Sequence, residues 1–246
     1  MIELQFFDWL LAGFAAFCLG ISKAGIKGLG IFFVTIFAIV FGSKSSSGIV
    51  LPMLCVGDLF AIIYYRRDVN WSLFFSIFPY MIVGVILGAI LGKDLPESLF
   101  KYGMASIIIV SVTIMIWWDQ RKSEKIPGSW VFGSFLGVLG GVTTMVGNLA
   151  GAFVNLFFLA LRVPKAEFIG TAAWLFFFVN LFKLPFHIYS WETITPSTLR
   201  INLYLLPAIA LGLFLGVRLV KIIEESMYRK LILFLTALGA IIIMLK

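Results

Sequence analysis

The chain is short of charge. Of its 246 residues only 13% are Asp, Glu, Lys or Arg, against roughly a quarter in soluble globular domains. A water-facing surface cannot be assembled from so few ionised groups, so a soluble globular domain is excluded. Histidine is nearly missing, with one residue, and the sequence holds no Ser-His-Asp order, HExxH pattern, paired histidine ligands or phosphate loop. General acid–base and metal chemistry lack their parts, so no catalytic residue, metal or cofactor is assigned and an enzyme is not expected. Cysteine is limited to Cys18 and Cys55, both inside apolar runs without disulfide or metal-ligand spacing, which leaves them as packing residues. The amino terminus lacks the basic region and small-residue cleavage site of a secretory signal, and Phe6 onward reads as a mature membrane segment. Strand-like alternation is absent too, which favours a helical bundle over a barrel.

What is abundant is apolar sequence, 61% of the chain. Runs such as 73–91 and 231–245 approach or reach the roughly 20 residues that cross about 30 Å of hydrocarbon as helix. Polar or glycine-rich breaks divide the chain into ten apolar segments: 6–22, 28–42, 47–65, 73–91, 99–118, 129–143, 148–162, 167–185, 201–219 and 228–245. The expected fold is an all-α polytopic membrane protein of about 8–10 transmembrane or re-entrant helical segments. The first two segments of each half are short and meet at glycine-rich breaks. Each such pair is either two spans or a re-entrant hairpin with its tip at membrane depth.

The net charge of +7 does not point to nucleic acid, because the basic residues are scattered through short connections and form no solvated face. Their distribution is a topology signal. With the segments counted in series, the odd connections hold Lys23, Lys27, Arg66, Arg67, Arg121, Lys122, Lys125, Arg162, Lys165, Arg218, Lys221, Arg229 and Lys230. The even connections and termini hold only Lys44, Lys93, Lys101, Arg200 and Lys246. The positive-inside rule then puts both termini outside and the 119–128 linker in the cytoplasm, as in a multi-pass protein of the inner (cytoplasmic) membrane. The expected partners are the lipid bilayer and a small anion, with a homo-oligomer left open.

The sequence also repeats itself. Pro79, Gly84, Gly88, Phe100 and Lys101 recur 128 residues later as Pro207, Gly212, Gly216, Tyr228 and Arg229, and the stretch Gly20 to Gly30 aligns with Gly141 to Gly151. The chain thus reads as two halves, 1–118 and 129–246, joined by the 119–128 linker. Five segments per half is an odd number, so the second copy enters the membrane from the opposite side. Inverted repeats with broken helices are the architecture of many secondary transporters, whose substrate sits near the midplane between the breaks.

The first break holds Ser22, Lys23, Gly25, Lys27 and Gly28. An ammonium in or near hydrocarbon costs about 2.5–3.5 kcal/mol on insertion scales unless it meets water, a counter-charge or an anionic ligand. Glycine lets backbone approach a ligand closely, and helix amino termini favour anions. Two readings stand for Lys23 and Lys27: anion ligands, or cytoplasmic loop charges obeying the positive-inside rule. The second break carries Thr143, Thr144 and Asn148, which either donate to the same anion or cap the interrupted helices. Asp58 lies alone in the apolar run Met53 to Tyr65, opposite Asn180 in the second half. It reads as a coupling group or as the charge-balancing partner of Lys23 or Lys27. Lys183 either snorkels to the interface or faces the bundle interior, His187 reads as a loop residue, and Trp71, Trp117, Trp118, Trp130 and Trp191 as an aromatic belt.

With its glycine-broken first segment, the stretch Gly48-Ile-Val-Leu-Pro52, the pair Gly57-Asp58 and the same scheme restarting at Gly137 to Gly151, the chain resembles the sulfite exporter TauE/SafE family over nearly its whole length. That resemblance implies export of a small sulfur-containing oxyanion, such as sulfite or an organosulfonate. The expected site is Ser22, Lys23, Gly25, Lys27, Gly28, Thr143, Thr144 and Asn148, with Asp58 coupling or balancing charge; an anion channel on the same scaffold is the alternative. Val146 and Leu149 stand opposite Gly25 and Gly28, so the halves are not expected to contribute equally.

Overall fold

The computed structural model describes residues 4–96 and 130–224 continuously, with isolated positions between 98 and 113 and between 227 and 234. Segments 99–118 and 228–245, the 119–128 linker, Trp117, Trp118 and the repeat positions Phe100, Lys101 and Arg229 lie wholly or largely outside the described residues. The described residues form helices and no strand: α1 (Phe6–Lys23), α2 (Gly30–Phe41), α3 (Ser43–Tyr65), α4 (Trp71–Gly92), α5 (Trp130–Gly147), α6 (Ala150–Ala160), α7 (Lys165–Pro185) and α8 (Pro196–Ile222). A π-helical turn, Phe186–Ser190, extends α7. Five of these elements are long and apolar enough to cross a membrane: α1, α3, α4, α7 with its π turn, and α8. The chain is an all-α polytopic membrane protein.

Local chemistry sets the ends. The helix expected at 201–219 starts earlier because Thr195 and Thr198 form a reciprocal capping box and Pro196 occupies the first turn, where its missing N–H is harmless. Asn70 caps α4, its side chain accepting from the Leu73 N–H at 3.0 Å, so the helix begins at Trp71. By contrast α2 and α6, with 12 and 11 residues, span only about 16–18 Å at 1.5 Å per residue, too short to cross the hydrocarbon alone. A single residue, Gly42 at φ 84°, turns α2 directly into α3.

Packing pairs α4 with α5 and α1 with α8, while α3 and α7 cross at the centre. The outer pairs are one contact made twice. A Cβ built on Gly141 would lie 2.8 Å from Gly84 Cα, and one on Gly212 would lie 3.1 Å from Gly20 Cα. One turn on, Gly88 faces Met145 and Gly216 faces Ala24. Lipid helices lack a hydrophobic drive to associate, and small residues permit the close backbone approach that replaces it. Many of the apolar side chains on the outside, including Phe75, Ile90, Leu203 and Phe214, are exposed as lipid-facing residues must be.

Trp71, 44% exposed, fits an interfacial aromatic. Trp191 corrects the belt expectation: it is 7% exposed and its indole N–H donates to Ala89 O at 3.1 Å, because the chain after α7 folds back over Gly92.

Candidate functional site

The two breaks meet. Between α1 and α2 the backbone takes positive φ at Gly25 (126°) and Gly28 (103°); between α5 and α6 it does so at Asn148 (58°), a residue type that tolerates the left-handed region. These turns aim the amino termini of α2 and α6 into one cavity of about 60 Å³, lined by residues of both breaks and of α3 and α7. A single water needs only about 10–15 Å³ on this measure, so the space admits a small polyatomic ion. Neither α2 nor α6 has a side-chain cap. Ala152 N–H turns back to Leu149 O at 3.3 Å; the other first-turn N–H groups, which lack an i−4 acceptor, and the positive dipole ends of both helices lie at the cavity.

Of the expected ligands, Ser22, Lys23, Lys27, Gly28, Thr144 and Asn148 line this cavity. Gly25 does not line it: a Cβ there would meet Ile169 and Val220, and its carbonyl accepts from the Tyr228 hydroxyl at 2.6 Å. Thr143 is also turned away, bonding back to Gly140 O at 3.1 Å, the usual resort of a hydroxyl inside a helix.

The two lysines of the first break differ. Lys23 Nζ donates to Asp58 Oδ1 at 2.6 Å, an ion pair at the centre of the bundle with Asp58 wholly buried. Asn180, the residue matched to Asp58 in the second half, donates to the other carboxylate oxygen at 2.7 Å. Lys27 is 4% exposed, and among the described residues no acceptor lies within hydrogen-bond or ion-pair distance of its ammonium. The ring of Phe176, 5.6 Å from Lys27 Nζ and 5.2 Å from Lys23 Nζ, covers both.

Two residues enter the site that the sequence did not assign to it. Lys183 is fully buried, facing the bundle interior, and donates to Asn148 Oδ1 at 2.5 Å, Thr144 Oγ1 at 3.2 Å and Asn180 Oδ1 at 3.3 Å. Those three acceptors all line the cavity, and Lys183 stands directly behind them. Asn155 lines the cavity from α6, and its Oδ1 is buried without a partner. Asn155 is the lone polar side chain in the apolar stretch Ala150–Ala160, a signal that the sequence did offer. His187 lies in the π turn and is buried, with Nδ1 2.8 Å from Thr193 Oγ1.

The arrangement collects donors: two ammonium groups at the surface, a third behind it, hydroxyls, amides and two helix amino termini. Its carboxylate is already engaged by Lys23 and Asn180. A set of donors of this kind suits an anion chemically. The model of one protein family, described as Sulfite exporter TauE/SafE, matches residues 9–243. None of the curated proteins or solved structures compared matches the chain.

Proposed function

The chain belongs to the sulfite exporter TauE/SafE family, and on that premise we propose that it is a secondary transporter exporting a small sulfur-containing oxyanion, sulfite or an organosulfonate, across the cytoplasmic membrane. The anion sits in the cavity between the two breaks, where Lys27 supplies an uncompensated charge. Ser22, Lys23, Thr144, Asn148 and the uncapped amides of α2 and α6 supply hydrogen bonds. The observation that carries this reading is the buried Lys27 ammonium, which has no acceptor among the described residues and faces a cavity of about 60 Å³. A buried charge left unpaired costs several kcal/mol, and an anionic ligand removes that cost.

The halves 1–118 and 129–246 act as inverted repeats joined by the 119–128 linker, and the twin glycine contacts of α4 with α5 and α8 with α1 support this. Asp58 balances the charge of Lys23 in this scheme and carries no proton. The test is sulfite efflux from proteoliposomes under an imposed potential. Efflux should saturate, and Lys27→Gln should lower it at least tenfold with the fold intact. Efflux that rises linearly without saturation makes the protein a channel, and efflux untouched by Lys27→Gln removes the anion from this cavity.

A further inference from the structure

The charges around the cavity do not balance, and the imbalance specifies the ligand. Among the described residues the buried lysines are Lys23, Lys27 and Lys183, and the buried carboxylate is Asp58. Asp58 accepts from Lys23 at 2.6 Å and so cancels one ammonium. Lys183 donates only to neutral oxygens, those of Asn148, Thr144 and Asn180, while Lys27 has no acceptor among the described residues. Two positive charges are therefore left over, one at the cavity wall and one immediately behind it.

Lys183 also sets the polarity of the wall. It engages Thr144 Oγ1 and the Oδ1 atoms of Asn148 and Asn180, three residues of the wall. The Thr144 hydroxyl, already accepting, is left its proton to donate, and the Asn148 and Asn180 amides are fixed by donating to Ser47 O at 2.9 Å and Asp58 at 2.7 Å. The wall thus presents donors and positive potential. An opposite charge within about 4–6 Å favours the ionised form of each lysine. A ligand with two negative charges satisfies both ammonium groups; a ligand with one leaves a buried charge without a partner.

We propose that this cavity selects doubly charged oxyanions over singly charged ones of the same shape, and that Lys183, which does not line the cavity, is the positioning residue that confers the preference. This rests on the cavity being the transport site proposed above. Sulfite and chlorate are the probes, since both are pyramidal trioxoanions and differ by one charge once sulfite is fully deprotonated at mildly alkaline pH.

Each is loaded separately into proteoliposomes, and initial efflux and charge moved per anion are recorded for the native chain, Lys183→Gln and Lys183→Arg. The native chain should transport sulfite at least tenfold better than chlorate, judged by flux over half-saturating concentration, and move two charges per sulfite. Lys183→Gln, which keeps a donor and loses the charge, should bring the ratio near one chiefly through weaker sulfite affinity, and Lys183→Arg should restore part of it. Equal handling of the two anions by the native chain overturns the inference while leaving the transport reading intact, and this measurement needs no variant to fold. A folded Lys183→Gln that keeps the native ratio overturns the role of Lys183. Failure of both anions to move overturns the transport reading and this inference with it.

Discussion

At the scale of single residues, Lys23 and Lys27 are the same side chain four positions apart, yet removing each has a different consequence. Lys23→Met strips Asp58 of its counter-ion and leaves a buried carboxylate held by one amide; breaking such a pair costs about 3–5 kcal/mol. The thermal midpoint of the protein in detergent should fall sharply, and adding Asp58→Asn should recover most of the loss. Lys27→Met removes an ammonium that has no acceptor among the described residues, so the midpoint should hold or rise while anion transport is lost. Equal destabilisation by the two single substitutions would refute this division of roles. Asn155→Val replaces an orphaned buried amide by an apolar group and should likewise preserve stability, with half-saturation for sulfite raised several-fold. The sequence could name Asp58 as the partner of Lys23 or Lys27 because charges at membrane depth must find one another. Which of Lys23 and Lys27 wins is decided by the path of the break, with Gly25 turning the chain between them. Lys183 was harder to place: near a helix end it obeys the snorkelling rule equally well, and only the packing of α7 against the second break turns it inward.

At the scale of elements, the paired helices α4–α5 and α8–α1 depend on glycines that meet backbone. A Cβ on Gly84 would strike Val138 O and one on Gly212 would strike Phe17 O, whereas one on Gly13 meets nothing within 4 Å. Gly84→Ala and Gly212→Ala should therefore destabilise the protein by similar amounts, on the order of 1–3 kcal/mol for an overpacked contact. Gly13→Ala should be neutral or stabilising by up to about 1 kcal/mol through helix propensity. Chemical denaturation of the purified variants checks both, and a tolerant Gly212 beside an intolerant Gly84 would count against equivalent contacts. Among the described residues the order of the helices was readable because hydrocarbon length and apolar runs are tightly linked. Their ends were not. Helix α3 starts at Ser43 and α5 runs on to Gly147, since serine, threonine and glycine that look like loop residues are satisfied by carbonyls inside a helix, as Ser46 and Ser47 are by Ser43 O and Lys44 O. The shortness of α2 and α6 was visible, but their convergence on one cavity is tertiary, because no local pattern states which two breaks will face each other.

At the scale of the whole molecule, contacts between connections sort them to two ends. Asn70 donates to Glu167, and Lys165 reaches Val220 O at 2.6 Å, so the connections after α3, α6 and α8 share one end. Lys44 donates to Lys93 O and lies over Trp191, which gathers the opposite connections. Arg66, Arg67, Arg162, Lys165, Arg218 and Lys221 fall at the first end, against Lys44, Lys93 and Arg200 at the second. By the positive-inside rule we propose that the first end is cytoplasmic. In intact cells, a cysteine at Arg67 should resist a membrane-impermeant maleimide and one at Glu192 should react; the reverse pattern would invert the orientation. For the export proposed above, the driving force comes from the membrane potential. A doubly charged anion leaving down an inside-negative potential of 100 mV is driven by about 4.6 kcal/mol, twice the 2.3 kcal/mol of a single charge. No coupled ion is required at that magnitude, and the one buried carboxylate among the described residues is held by Lys23 and Asn180, one hydrogen bond to each oxygen. With the potential clamped in proteoliposomes and both compartments alkaline enough to keep sulfite doubly charged, abolishing the pH gradient should therefore leave sulfite efflux unchanged, whereas stepping the potential should change it. Efflux that follows the pH gradient at fixed potential would mean that the Lys23–Asp58 pair opens during the cycle and that Asp58 takes up a proton when it does.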